Sequence, residues 1–163
     1  MTLSLLLEGT VKVSMIPELG KFIAILGLAL TTILCGIGSS VGLKASASAA
    51  AGVMSEDASM FSKVMILVLL PATQGLYGFV IAIIGAGNVV DGMTLAQGWE
   101  VFACCLPMMI AGMTSAIFQG KTSATTIMAA GKKPEIAGKA MLFPAMIEFY
   151  ALLGLVVSII LLG

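Results

Sequence analysis

Four long apolar stretches dominate the pattern of the chain, at about 22–43, 64–87, 101–118 and 140–162. Each approaches the roughly 20 apolar residues that a helix needs to cross a bilayer. Apolar and polar positions do not alternate in them, which excludes the strands of a membrane β-barrel. Alanine-rich segments follow the first and third stretches, at 45–51 and 122–130, and alanine favours helix. The pattern therefore predicts an all-α membrane protein with four transmembrane helices, of which the first and third extend beyond their apolar parts.

Polar breaks separate these stretches at 54–57, 88–98 and 131–135. In the last break, Gly131 is expected to end one helix and Pro134 to open the next. Residues 1–17 have a short apolar run without a basic start, so they do not have the pattern of a cleaved signal peptide. The expected organisation is an N-terminal extension at 1–17, a first helical hairpin at 18–90 and a second hairpin at 91–163.

The composition excludes several classes of protein. The chain is 60% hydrophobic and 10% charged, whereas soluble domains are about 45–50% apolar and about 25% charged. A soluble globular enzyme and a disordered chain are both excluded. Eight lysines balance eight acidic residues, so the chain lacks the basic patch that a nucleic-acid partner needs. The chain also has no histidine, the commonest general base and metal ligand. Cys35, Cys104 and Cys105 lie in apolar stretches and are expected to pack as small hydrophobic residues.

The lysines orient the chain in the membrane. Those that flank the first and third connections are Lys44, Lys63, Lys121, Lys132, Lys133 and Lys139. The middle connection carries Asp91 and Glu100 and no lysine. Because cytoplasmic loops are enriched in lysine, the first and third loops are predicted to be cytoplasmic. The chain is thus predicted to cross the cell membrane several times. Both termini and the middle loop are predicted to lie on the outer side of the membrane.

The second and fourth stretches contain related sequences. LPATQGLY at 70–77 resembles FPAMIEFY at 143–150, with the Pro-Ala pair and the tyrosine at the same spacing. This repeat predicts two tandem hairpins of the same orientation. Glu148 in the second copy corresponds to Gly75 in the first. The four predicted helices therefore share a single carboxylate in the middle of a span.

Glu148 is the main candidate for a functional residue. It lies in the middle of the fourth stretch, whereas the other charges lie at span ends or in loops. A charged group at that depth costs several kcal/mol, and such residues generally mark ion or proton pathways. The alternative is a protonated carboxyl that holds helices together by hydrogen bonds.

Helix geometry predicts which side chains face Glu148. Gln119 lies 14 residues before position 133, and Glu148 lies 15 residues after it. At about 1.5 Å per residue, both are roughly 21–23 Å from that turn. Thr73 and Gln74 are roughly 26 Å from the first turn, and Tyr77 follows Thr73 by one turn on the same face.

One carboxylate, two amides and two hydroxyls are therefore expected at one level of the membrane. All of them present oxygen, which hard cations such as Na⁺ prefer. A proton would need only the carboxyl group, so this many polar groups favour a cation that has to replace its hydration shell. Small residues in the first and third stretches favour an assembly in which these helices form a crowded inner layer and the second and fourth helices an outer layer. Packing within one chain is the alternative.

Three strings resemble the membrane rotor proteolipid of V-type ATPases, in particular the bacterial four-helix form known as K or c, of the sodium-translocating type. They are LLPATQGLYGF at 69–79, FQGK at 118–121 and AMIEFYALLG at 145–154. The resemblance covers about residues 21–162. Ala72 stands where glycine is expected in the most similar proteins, which leaves the polar residues intact.

This resemblance implies a ring of identical subunits in the lipid bilayer, turning against a stator subunit that carries an arginine. A central stalk is expected on the cytoplasmic loops, and ATP is hydrolysed or synthesised in a separate head. The resemblance implies five Na⁺ ligands: the Glu148 carboxylate, the Thr73 hydroxyl, the Gln74 and Gln119 amides and the Leu70 carbonyl. It also implies that Tyr77 donates a hydrogen bond to Glu148 and locks the site.

Several alternatives remain open on sequence grounds. The nearest is a proton-translocating rotor proteolipid of the same kind. A small four-helix cation/proton exchanger and a structural, pore-forming proteolipid are alternatives from other classes. The segment 115–122 resembles the end of a P-loop, but Ser115 replaces its first glycine and no strand precedes it. The chain is therefore expected to be a non-catalytic transport subunit without an organic cofactor.

Overall fold

The computed structural model describes residues 18–163, so the expected extension at 1–17 lies outside the described residues. In the described part, four helical spans are long and apolar enough to cross a membrane. They are Leu19–Glu56, Ala58–Ala86, Leu95–Lys132 and Pro134–Leu162, called here the first to fourth spans. These spans confirm the all-α membrane fold that the apolar pattern predicts.

The first and third spans are single unbroken α-helices of 38 residues each. Both include the alanine-rich segments, as predicted. The first helix continues to Glu56, and the third ends at Lys132, one residue beyond Gly131. Thr94 starts the third helix with a capping box, because its hydroxyl accepts from the Gln97 amide and the Gln97 side chain accepts from the Thr94 amide.

The second and fourth spans are interrupted. The second consists of a 3₁₀ turn (Ala58–Met60), a helix (Phe61–Leu69), a second 3₁₀ turn (Leu70–Ala72) and a helix (Thr73–Ala86). The fourth consists of a 3₁₀ turn (Pro134–Ile136), a short helix (Ala137–Ala140) and a helix (Leu142–Leu162). Pro71 lies inside the interruption of the second span. A proline has no N–H to donate, which favours a break at this point.

The first and third spans pack backbone against backbone. A Cβ on Gly98 would collide with the Gly20 carbonyl oxygen, and one on Gly120 would collide with the Gly42 Cα. Such approaches are open only to glycine. The small residues at these positions therefore pack the two spans against each other within one chain, whereas their role in an assembly stays a prediction.

Apolar side chains form two buried clusters between the spans. Ile81, Met108 and the three cysteines are buried, so the prediction of buried cysteines is confirmed. The outward faces of the second and fourth spans instead expose large apolar side chains, among them Phe79 and Leu153. Because large exposed apolar surfaces mark contacts with lipid or other proteins, these faces fit a membrane environment.

An ion pair joins the start of the first span to the loop between the second and third spans. Lys21 Nζ lies 2.6 Å from Asp91 Oδ1. This hydrogen bond, together with the lysine charge, lowers the pKa of the exposed Asp91 carboxyl below its ordinary value.

Candidate ion-binding site

Glu148 is held by two hydroxyl groups of the second span. Its Oε1 accepts a hydrogen bond of 2.8 Å from Thr73 Oγ1 and another of 2.8 Å from Tyr77 OH. Thr73 and Tyr77 are four residues apart in one helix, so they share a face. Glu148 itself is half-buried in the fourth span. The carboxylate therefore bridges the fourth and second spans.

The Leu70 carbonyl joins this group of oxygens at the break of the second span. Thr73 Oγ1 lies 3.0 Å from the Leu70 oxygen, as well as 2.8 Å from the Glu148 carboxylate. A hydroxyl has one proton to donate, so it cannot satisfy both acceptors at once. Two acceptors, the Leu70 carbonyl and the Glu148 carboxylate, thus compete for the single proton of the Thr73 hydroxyl.

Two glutamines form the buried side of the site. Gln74 and Gln119 are fully buried, and Gln74 Nε2 donates to Gln119 Oε1 at 2.5 Å. Gln119 Nε2 lies 3.1 Å from the Pro144 carbonyl and 3.4 Å from Glu148 Oε2. Gln74 Oε1 has no hydrogen-bond partner among the described residues. A buried acceptor without a donor is costly, and a cation would satisfy it.

All six residues singled out in the sequence come together in this structure. Thr73 and Tyr77 touch the carboxylate directly, Gln119 is at 3.4 Å, Gln74 connects through Gln119, and Leu70 connects through Thr73. The sequence reasoning missed the Pro144 carbonyl as the acceptor for Gln119. A proline frees the carbonyl four residues before it and not its own, so the sequence carries no local signal for this contact.

The equivalent position of the first hairpin is crowded by the first span. A Cβ on Gly75 would lie 3.2 Å from Ser39 Oγ, and the Gly75 amide donates to that same oxygen at 2.8 Å. In the first hairpin, the second span packs on the first span at Gly75. In the second hairpin, the corresponding position carries the Glu148 side chain.

Among the described residues, the salt bridge joins Lys21 and Asp91. Glu148 therefore has no lysine partner in this part of the chain. Its hydrogen bonds come from neutral hydroxyl and amide groups. Since a bare charge in the membrane is costly, such a carboxylate is suited to take up a cation or a proton. The fold and this site define a multi-pass membrane protein with a carboxylate in the middle of its fourth apolar span.

Comparison with known proteins assigns the family. The model of the family described as the C subunit of ATP synthase matches twice, at residues 26–85 and 102–161, and the chain belongs to this family. The two matches fall on the two related halves of the chain. The identification of a rotary-ATPase membrane proteolipid from its sequence strings is thereby confirmed, and such a proteolipid is a transport subunit rather than a catalytic one.

Three relatives illustrate the range of similarity. The V-type sodium ATPase subunit K of Enterococcus hirae is 43% identical over 87% of this chain and 91% of its own length. The A-type ATP synthase subunit K of Methanocaldococcus jannaschii is 35% identical over 83% of this chain and 60% of its own length. The 16 kDa proteolipid of the V-type proton ATPase of Ovis aries is 23% identical over 89% of this chain and 94% of its own length.

Proposed function

We propose that this chain is the ion-carrying subunit of a rotor ring and that it binds Na⁺ at Glu148. The observation that carries the proposal is the carboxylate held by Thr73 and Tyr77 beside the Leu70 carbonyl. The similarity to a V-type sodium ATPase subunit K supports Na⁺ as the transported ion.

The proposed ligands are the oxygens of Glu148, Thr73, Leu70, Gln74 and Gln119. Na⁺ is a hard cation and binds carboxylate, hydroxyl, carbonyl and amide oxygens. The unpaired Gln74 Oε1 supports this assignment, because an ion at the site would give that buried atom a partner.

Ion binding would control where Glu148 can go. With Na⁺ bound, the site is neutral and tolerates lipid, and in this state Tyr77 holds the carboxylate closed. Without Na⁺, the bare carboxylate is costly in lipid and must face an aqueous channel or an arginine of the stator. A ring of identical subunits turning past such a stator would couple ion flow to ATP hydrolysis or synthesis in a separate head. In this arrangement the cytoplasmic first and third loops contact the central stalk, and both termini lie outside.

Carbodiimide labelling tests the ion directly, because the reagent attacks a protonated carboxyl group. Membranes containing the protein are treated at several pH values with and without NaCl, and labelling of Glu148 is measured by mass spectrometry. We expect NaCl to suppress labelling, with more NaCl required at lower pH because Na⁺ and H⁺ compete for one carboxylate. KCl at equal ionic strength is the control for salt.

Each outcome discriminates between the alternatives. Protection by rising pH alone would overturn the Na⁺ assignment in favour of a proton rotor. The Glu148→Gln variant is expected to assemble into rings but to carry no ions, with Glu135→Gln, in the exposed 131–135 turn, as the matched control. Normal ion transport by Glu148→Gln would instead favour a structural or pore-forming proteolipid.

A further inference from the structure

The break in the second span leaves backbone groups without helical partners. The helix Phe61–Leu69 ends and the helix Thr73–Ala86 begins within a few residues. The intervening 3₁₀ turn satisfies some of these groups, because the Leu70 amide donates to the Ile66 carbonyl and the Thr73 amide donates to the Leu70 carbonyl. The remaining carbonyls at the end of one helix and amides at the start of the next lack partners within their own helices. Inside a membrane, water cannot fill this role, so another part of the protein has to.

Ser46 on the first span reaches the carbonyl side of this break. Its Oγ lies 3.1 Å from the Val68 carbonyl oxygen, and also 3.1 Å from the Leu43 carbonyl of its own helix. Val68 belongs to the last turn of the helix Phe61–Leu69. The Ser46 side chain is fully buried, so its hydroxyl is in contact with the end of that helix away from water.

Ser39 on the first span reaches the amide side of the same break. The Gly75 amide donates to Ser39 Oγ at 2.8 Å. Gly75 is the third residue of the helix Thr73–Ala86, whose first amides lack helical acceptors. Ser39 thus provides a cap from a neighbouring helix, in place of the N-cap side chain that Ala72 cannot offer.

Gly42 lies between these serines and receives the proline of the break. A Cβ on Gly42 would lie 2.9 Å from Pro71 Cβ. Positions 39, 42 and 46 follow the three- and four-residue spacing of one helical face. Together Ser39, Gly42 and Ser46 form a cradle on the first span that holds the broken segment.

We infer that Ser39 and Ser46 are positioning residues for ion binding, an assignment that rests on the proposed function. They fix the segment that presents the Leu70 carbonyl and the Thr73 hydroxyl to Glu148. Neither serine touches the carboxylate in the hydrogen bonds found here; both act through the geometry of the break.

The test compares Ser39→Ala with the wild type in full-length, assembled protein. Removal of the Ser39 hydroxyl leaves the Gly75 amide without its acceptor, and the segment 70–75 shifts to find another. We expect about tenfold more NaCl to be needed for half-protection of Glu148 from carbodiimide at fixed pH, since an unsatisfied buried group is costly. Ser39→Thr keeps a hydroxyl acceptor and is expected to restore most of the protection.

Ser40→Ala is the matched control, because the neighbouring Ser40 hydroxyl bonds only to the Ile37 carbonyl of its own helix in the described residues. The inference is overturned if Ser39→Ala needs the same NaCl concentration and shows the same labelling rate as the wild type and Ser40→Ala. If NaCl fails to protect the wild type, the proposed Na⁺ function is wrong. The inference is then judged without Na⁺, by faster Glu148 labelling in assembled Ser39→Ala, because a displaced Thr73 hydroxyl no longer shields the carboxyl; an unchanged rate rejects it.

Discussion

At the scale of single residues, corresponding positions in the two copies of the repeat make different contacts. Tyr77 donates a hydrogen bond to Glu148, whereas its counterpart Tyr150 lies 68% exposed on the outer face. Gly75 packs on the first span, whereas its counterpart Glu148 is ionisable. The same residue type therefore has different surroundings in the two copies, and the role of each residue depends on what its helix packs against.

The tyrosine pair provides a prediction with an internal control. Tyr77→Phe removes one of two hydroxyl donors from Glu148, and hydrogen bonds to charged groups contribute about 1.5–3 kcal/mol. We expect a several-fold rise in the carbodiimide labelling rate of Glu148 at fixed pH and Na⁺. Tyr150→Phe, measured alongside, should react at the wild-type rate. Equal rates in the two variants would contradict the locking role of Tyr77.

At the scale of elements, glycines decide how closely the first and third spans approach. This contact recurs along the helices, at Gly20 with Gly98 and at Gly42 with Gly120. The two long helices form a scaffold, and the interrupted second and fourth spans pack against it. The scaffold supplies Gln119 and the cradle residues, while the interrupted spans supply the hydroxyls and the carboxylate.

Gly120→Ala is expected to destabilise this scaffold. Its methyl group would meet the Gly42 backbone, which cannot move as a side chain can, and overpacking of this kind costs about 1–3 kcal/mol. The thermal midpoint for dissociation of the purified assembly should fall. Gly52→Ala in the first span is the control, because a Cβ there meets nothing within 4 Å. A midpoint equal to that of the control would show that the close contact is unimportant for stability.

At the scale of the whole molecule, the lysines are divided unevenly between the two ends. Lysines flank the first and third connections, and Asp91 pairs with Lys21 at the opposite end. The division into hairpins at 18–90 and 91–163 stays a prediction. The orientation of the loops in the membrane, inferred from the lysines, also stays a prediction.

Cysteine labelling tests that orientation. Lys133→Cys should react with a membrane-impermeant maleimide only from the cytoplasmic side, and Val90→Cys only from the outside, because both positions are exposed in loops. The native cysteines are buried, so the wild-type chain should give a low background. The reverse pattern would invert the proposed topology.

Apolar length and alanine content were sufficient to predict the four spans, because they set where a helix can cross a membrane. Most candidate site residues were also predicted, since Glu148 is a carboxylate in the middle of an apolar stretch and helix rise indicates which residues share its depth. Leu70 was predicted only from the family resemblance. Depth alone could not decide which atoms touch, because rotation of each helix about its axis depends on packing.

The packing of the helices sets those contacts. It brought Thr73 and Tyr77 to the same carboxylate oxygen and left Gln74 at the end of a chain of hydrogen bonds. It also related Ser39 to Gly75, 36 residues away in the sequence. Such a contact has no local signature, because it depends on how closely two helices approach and on where proline breaks the helical ladder.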